Sequence, residues 1–176
     1  MDFFIMSLDS RLTHYVPKPV SEPPDLRQQV SKQSSGIPTT KIIFVDESRK
    51  NAYPDILEEP VLLVSEKMKR ILGMYRQPGA VFETVILIER KKNQQHAYYQ
   101  VFAPEIQCRV DMPDNSKGNK AEGLVLDEIK IGYARIFYVN YYGKRLIVRL
   151  DVAESILRRD SFGVRFNRVI TVGKEC

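Results

Sequence analysis

Cys108 and His96 are the one pair in this chain that could work as a nucleophile and its base. A catalytic thiol needs a neighbouring base to hold it as thiolate. Cys108, however, alternates with Ile106, Val110 and Met112 against Gln107, Arg109 and Asp111. That period of two puts it on the apolar face of a strand, where a free cysteine acts as a small hydrophobe. Paired carboxylates stand at Glu58-Glu59 and Asp127-Glu128. Adjacent strand residues point to opposite faces, so Asp127 and Glu128 diverge, and Glu58-Glu59, just ahead of Pro60, reads as solvated loop charge. Gly143-Lys144 lacks the spacing of a phosphate loop, and neither Gly-x-Gly-x-x-Gly after a strand nor Gly-x-Ser-x-Gly occurs. Cys108 and Cys176 form no Cys-x-x-Cys or Cys-plus-His cluster, so neither a zinc site nor a disulfide framework is signalled. The expectation is a protein without catalytic residues, metal or cofactor.

Aromatic residues are the more suggestive feature. Tyr98 and Tyr99 fall on one strand, and Tyr133, Phe137, Tyr138, Tyr141 and Tyr142 gather around another and its hairpin. Arg135, Lys144 and Arg145 lie among them. Three readings stand side by side: core packing by Phe137 or Tyr138, a protein-binding surface anchored by Tyr and Arg, and a stacking platform for single-stranded nucleic acid.

The charge balance bears on that choice. The 176 residues carry 27 Lys+Arg and 22 Asp+Glu, a formal net charge of +5. The excess is spread thinly, and Asp151, Glu154 and Asp160 interrupt the densest run of arginines, from Arg145 to Arg168. Nucleic-acid binders concentrate charge on one face or stripe. A solvated, mixed-charge surface is therefore the better reading, and +5 suits a partner that is neutral or mildly acidic. Composition is that of an ordinary globular chain, long enough to bury a core without staples. The N-terminus is short and acidic where a signal peptide needs basic residues, and no apolar run approaches the roughly 18 residues of a membrane span. A cytoplasmic, reducing location is expected.

Positioning falls to a strand-rich region. Residues 1–40 read as an extended arm: Pro17, Pro19, Pro23, Pro24 and Pro38 forbid a regular ladder or long helix, and Phe3–Met6 is expected to pair as an edge strand. Residues 41–176 read as one α+β domain, a mostly antiparallel curved sheet with two short helices. Strands are expected over Lys41–Val45, Val61–Val64, Val81–Arg90, Ala97–Ala103, Ile106–Met112, Leu124–Ile131, Ala134–Asn140, Arg145–Leu150 and Val164–Val172. Ser65 caps a first helix with Met68, Ile71, Leu72 and Tyr75 on one face, and Asp151 with Glu154 makes a capping-box start for a second. Residues 113–122 read as a polar loop. Gly79-x-x-Phe82-x-x-Val85-Ile86 recurs as Gly163-x-x-Phe166-x-x-Val169-Ile170, each after a strand and a helix. Either a duplication or chance similarity between two strand–helix–strand units accounts for it.

The order of these signals resembles a bacterial family. Val64-Ser65-Glu66-x-Met68-x-x-x-Leu72 resembles its strand, Ser-Glu and short helix, and Tyr98-Tyr99-x-Val101 with Pro104-x-Ile106-x-Cys108-x-x-Asp111 its middle block. Leu126-Asp127-x-x-Lys130-Ile131, Ile136-Phe137 and a helix leading into Gly163-Val164-x-Phe166 complete the match, over about residues 54–170. The family, first catalogued as a domain of unknown function, is grouped with immunity proteins encoded beside polymorphic or contact-delivered toxins. Here Asp151-Val152-Ala153-Glu154 replaces the usual Ser-Glu at the second helix. The resemblance implies a cytoplasmic binding protein that neutralises a cognate toxin without chemistry or cofactor. The contact surface is expected around Arg135, Tyr138, Tyr141, Tyr142 and Arg145, with single-stranded nucleic-acid binding as the alternative function.

Overall fold

The computed structural model describes residues 1–20, 40–46, 50–75, 79–110 and 124–173. Its first strand, β1 (Phe3–Leu8), contains the run Phe3-Phe4-Ile5-Met6, apolar toward both faces. A strand of that kind belongs inside a sheet, and β1 lies between β10 (Lys144–Arg149) and β11 (Val164–Val172), antiparallel to both. The expected edge strand is thus an interior one. The next residues are also held: Pro17 is buried, and Val20 N–H and the Lys18 carbonyl bond to Phe44 and Asp46. The remainder of the expected arm, residues 21–39, lies outside the described residues.

Two mixed sheets form, where one curved sheet was expected. The first has the order β7 (Arg109–Val110), β8 (Val125–Asp127), β11, β1, β10, β9 (Ile136–Asn140). The second runs β2 (Lys41–Phe44), β5 (Val81–Glu89), β6 (Gln94–Phe102), β4 (Leu63–Ser65), β3 (Ile56–Leu57). Among the described strands, β2–β5 and β8–β11 pair in parallel and the other pairs are antiparallel. The architecture is a single α+β domain, and neither sheet closes into a barrel among the described residues.

Three α-helices occur among the described residues, one more than expected. In α1 (Glu66–Gly73) Ser65 Oγ accepts from Met68 N–H at 3.2 Å, and Met68, Ile71 and Leu72 are buried. The extra helix is α2 (Glu128–Ile131), inside the expected strand Leu124–Ile131. Asp127 Oδ1 accepts from Ile129 and Lys130 N–H at 2.9 and 3.3 Å, and this capping turns the chain after three strand residues. In α3 (Leu150–Leu157) no side chain caps the start. Asp151 is instead held in a two-pronged ion pair with Arg149, at 2.9 and 2.7 Å, so the expected capping box does not form. Tyr75, just past α1, donates to the Asp151 carbonyl at 2.8 Å and ties the two longer helices together.

A common core unites these layers. Met6, Val148 and Leu146 from the first sheet meet Val64, Val101 and Ile56 from the second, with Met68 and Leu72 of α1 and Val152 and Ile156 of α3. Each sheet carries a second cluster on its other face: Phe3, Phe137 and Ile147 with Cys108 and Leu126 on one, Val85, Leu87 and Tyr98 with Leu57 on the other. Among the described residues no helix is long and apolar enough to cross a membrane.

The two sheets repeat one arrangement. In each, a short hairpin (β3–β4, β9–β10) leads through a helix (α1, α3) to a strand (β5, β11) that lies parallel to the hairpin's second strand, with another strand between them (β6, β1) and a parallel strand outside (β2, β8). The correspondence holds in register. Val64 faces Tyr99 and Val85 faces Tyr98; Val148 faces Phe4 and Val169 faces Phe3. The recurring Gly-x-x-Phe motif therefore marks equivalent places, and Gly79 and Gly163 open β5 and β11 with φ of 80° and 75°. At Gly163 a Cβ would come within 2.5 Å of the Pro54 side chain, so close approach adds to the conformational demand. The second copy is completed by the N-terminal strand β1, which stands where β6 stands in the first.

Candidate functional site

Cys108 and His96 are far apart in the architecture. Cys108 is fully buried in the cluster behind the first sheet, and burial pushes its thiol up to about 11, away from reactive thiolate. His96 is on β6 of the second sheet, stacked on Tyr53 with ring centroids 3.4 Å apart, and burial lowers its pKa. Asp127 and Glu128 also diverge, one capping α2 and the other accepting from Thr171 Oγ1 at 2.8 Å. Among the described residues no group of three His, Cys, Asp or Glu side chains is placed to hold a metal ion.

Three of the five expected surface residues come together at the β9–β10 hairpin. Tyr141 and Tyr142 meet edge to face with centroids 4.8 Å apart; Tyr142 is exposed, whereas Tyr141 is packed into the cluster behind the first sheet at 9% exposure and is not the surface contact expected. Arg145 Nε and Nη2 donate to the Tyr141 and Tyr142 carbonyls at 3.4 Å each, which fixes the guanidinium under the turn. Tyr142 has φ of 49°, in the left-handed region that favours glycine or asparagine. Tyr138 is a core residue and not a surface contact: it is 7% exposed, and its hydroxyl donates to the Val101 carbonyl at 3.0 Å. Arg135 stands at the other end of β9, with Nε 3.9 Å from Asp151 and its guanidinium 5.9 Å from the centre of the Tyr75 ring.

Glu58 joins the hairpin from the second sheet. Its Oε1 is 3.7 Å from Arg145 Nη1. Read as solvated from the sequence, it is half-buried; burial raises its pKa, against the lowering effects of the Leu8 backbone and of Arg145.

The Glu58–Arg145 pair borders two grooves. One, of about 550 Å³, runs past Val61, Leu62, Phe102 and Tyr138, with Lys144 at its edge in an ion pair with Glu105 at 3.1 Å. The other, of about 330 Å³, lies over the open part of the first sheet between Tyr141, Tyr142, Ser7, Arg165 and Asn167. No family model and no curated protein matches this chain. The site is therefore read from its own chemistry: one exposed aromatic ring at a turn backed by a buried one, two arginines, a half-buried carboxylate and small polar groups, an arrangement suited to holding a partner's side chains.

Sequence reasoning set Glu58 aside as solvated loop charge and did not place Ser7, Arg165 or Asn167 in the contact surface. The signal that could have found the last two was available. Each lies beside Phe166 in the second Gly-x-x-Phe motif, where the first copy has Val81 and Glu83.

Proposed function

We propose that this is a non-catalytic binding protein of the toxin-immunity type, acting in the cytoplasm and neutralising a cognate bacterial toxin by protein–protein contact. The observation that carries the reading is Tyr142: a large aromatic exposed at a left-handed turn position, beside Tyr141 and above Arg145. Glycine or asparagine takes such a position at lower conformational cost, and the large ring that stands there instead presents aromatic surface to a partner. Exposed Tyr beside Arg is the composition of an interface anchor. The order of motifs along the chain supports the same class, and an inhibitor that works by occlusion needs affinity rather than turnover.

Single-stranded nucleic acid is the weaker reading. Stacking needs exposed rings beside unengaged cations, whereas Tyr98 and Tyr138 are buried, and Arg135, Lys144, Arg145 and Arg149 each face a carboxylate.

The test is co-expression with the protein encoded by the neighbouring reading frame, with growth rescue and calorimetry as readouts. A 1:1 complex that restores growth and weakens with Tyr142→Ala supports the proposal. A neighbour that neither binds nor harms the cell overturns it, as does binding to single-stranded oligonucleotides that falls steeply with salt.

A further inference from the structure

Arg165 stands directly across from Ser7, β11 to β1. The equivalent pair in the first copy is Val81 across from Phe102. Arg145, on the other side of β1, has Val61 as its counterpart, by the same spacing that equates Val64 with Val148. One scaffold thus carries valine, phenylalanine and valine in one copy and arginine, serine and arginine in the other. The fold is satisfied by apolar residues at these places, so packing does not account for the arginines.

The three polar residues line the same groove and share the sheet face that carries Ile5, Ile147 and Val169 further along. Arg145 is held by the two hairpin carbonyls and shares Glu58. The Arg165 side chain, unlike its backbone in the β1–β11 ladder, makes no hydrogen bond or ion pair among the described residues. Asp9, the acid that feels its charge, is engaged by Arg11 through Nε at 3.0 and 3.1 Å. Asn167 Nδ2 lies 3.5 Å from Ser7 Oγ and adds donor capacity beside the two guanidiniums.

We propose that the groove between β1, β10 and β11 is a carboxylate-binding site, which takes an acidic side chain of the protein partner between Arg145 and Arg165. This rests on the binding-protein reading above and names the chemistry it selects. Guanidinium–carboxylate bonds are charge-assisted and directional, and the half-enclosed groove strengthens them over those on an open surface. Glu58 occupies one side of Arg145 in the free protein and competes with the incoming acid.

The experiment is an NMR titration of the ¹⁵N-labelled protein, following the arginine Nε–H signals. The probes are an end-blocked hexaglutamate peptide, its hexaglutamine counterpart and inorganic phosphate. The hexaglutamate peptide is expected to shift the Arg145 and Arg165 signals, with binding about tenfold weaker in Arg165→Gln and about threefold tighter in Glu58→Gln. Equal shifts with hexaglutamine, or unchanged binding in Arg165→Gln, overturn the site. Phosphate binding as tightly as the peptide overturns the choice of a protein acid. The two proposals fail separately: a toxin that binds Arg165→Gln as well as the parent sinks the groove alone, and the absence of any protein partner sinks the binding reading while the peptide titration still decides the groove.

Discussion

Arg145 of the second repeat reaches Glu58 of the first, guanidinium Nη1 to carboxylate Oε1 at 3.7 Å, and this one pair separates the two grooves. Arg145 hangs from the β9–β10 turn, and Glu58 sits in the connection between β3 and β4, so the contact joins equivalent hairpins of the two sheets.

That junction predicts a pH effect. Burial raises the Glu58 pKa above its ordinary 4.5, so between the unfolded and folded values the native state binds more protons than the unfolded one. Stability contributed by this group is present at low pH and is lost as pH rises through that raised value. Glu58→Gln removes the effect. Relative to the variant, the parent should lose melting temperature as pH is raised from about 4 to 7; parallel curves across that range contradict the assignment.

Tyr142→Gly should stabilise the protein by about 1 kcal/mol, because glycine adopts the left-handed turn without a Cβ penalty. Urea unfolding measures the gain. If the ring serves a partner, the same variant binds it more weakly, so stability and affinity move in opposite directions.

Cys108 should be inert in the folded protein. In a Cys176→Ala background, iodoacetamide at pH 8 should label it only as fast as the native state opens, and completely in denaturant. Its burial and a thiol pKa of about 11 both oppose reaction. Rapid labelling of the native protein is the contrary result.

The repeat predicts a viable permutant. β11 and β1 are antiparallel neighbours, as β5 and β6 are, but β5 and β6 are joined directly by the turn Arg90–Asn93. Linking Gly173 to Met1 through a short Asn-Gly turn and opening the chain in the β5–β6 turn, between Lys91 and Lys92, should give a protein with the parent's circular dichroism and a cooperative unfolding transition. Deleting residues 1–8 should abolish that cooperativity, since Phe3 and Met6 are buried at 1% exposure.

What could be read in the sequence followed from local chemistry. Strand β5, helix α1 and strand β11 are legible because their apolar periodicity and flanking Ser65, Gly79 and Gly163 agree with the tertiary result. α2 was hidden because Leu124–Ile131 is apolar enough for a strand, and only the Asp127 side chain redirects it. The interior place of β1 was obscured by the prolines that follow it, although Phe3–Met6 had the two-faced apolarity of a central strand. Tyr138, Tyr141 and Tyr142 could not be told apart by type: the first two pack into opposite core clusters, and the third stands exposed at the left-handed turn position. The groove was least legible, since Ser7 and Arg165 meet only through pairing across the whole chain.

That pairing also predicts an order of folding for the two sheets. Strands β3 to β6 close over short sequence distances, so the second sheet can condense from neighbours. The first must bring Ser7 to Asn167 across 160 residues before β1 has a home, and closing so long a loop is slow. Until then Phe3-Phe4-Ile5-Met6 is an exposed apolar strand with both edges open, the kind of segment that invites aggregation or a chaperone. Yield of the protein from cells should therefore respond to chaperone supply more than its final stability suggests.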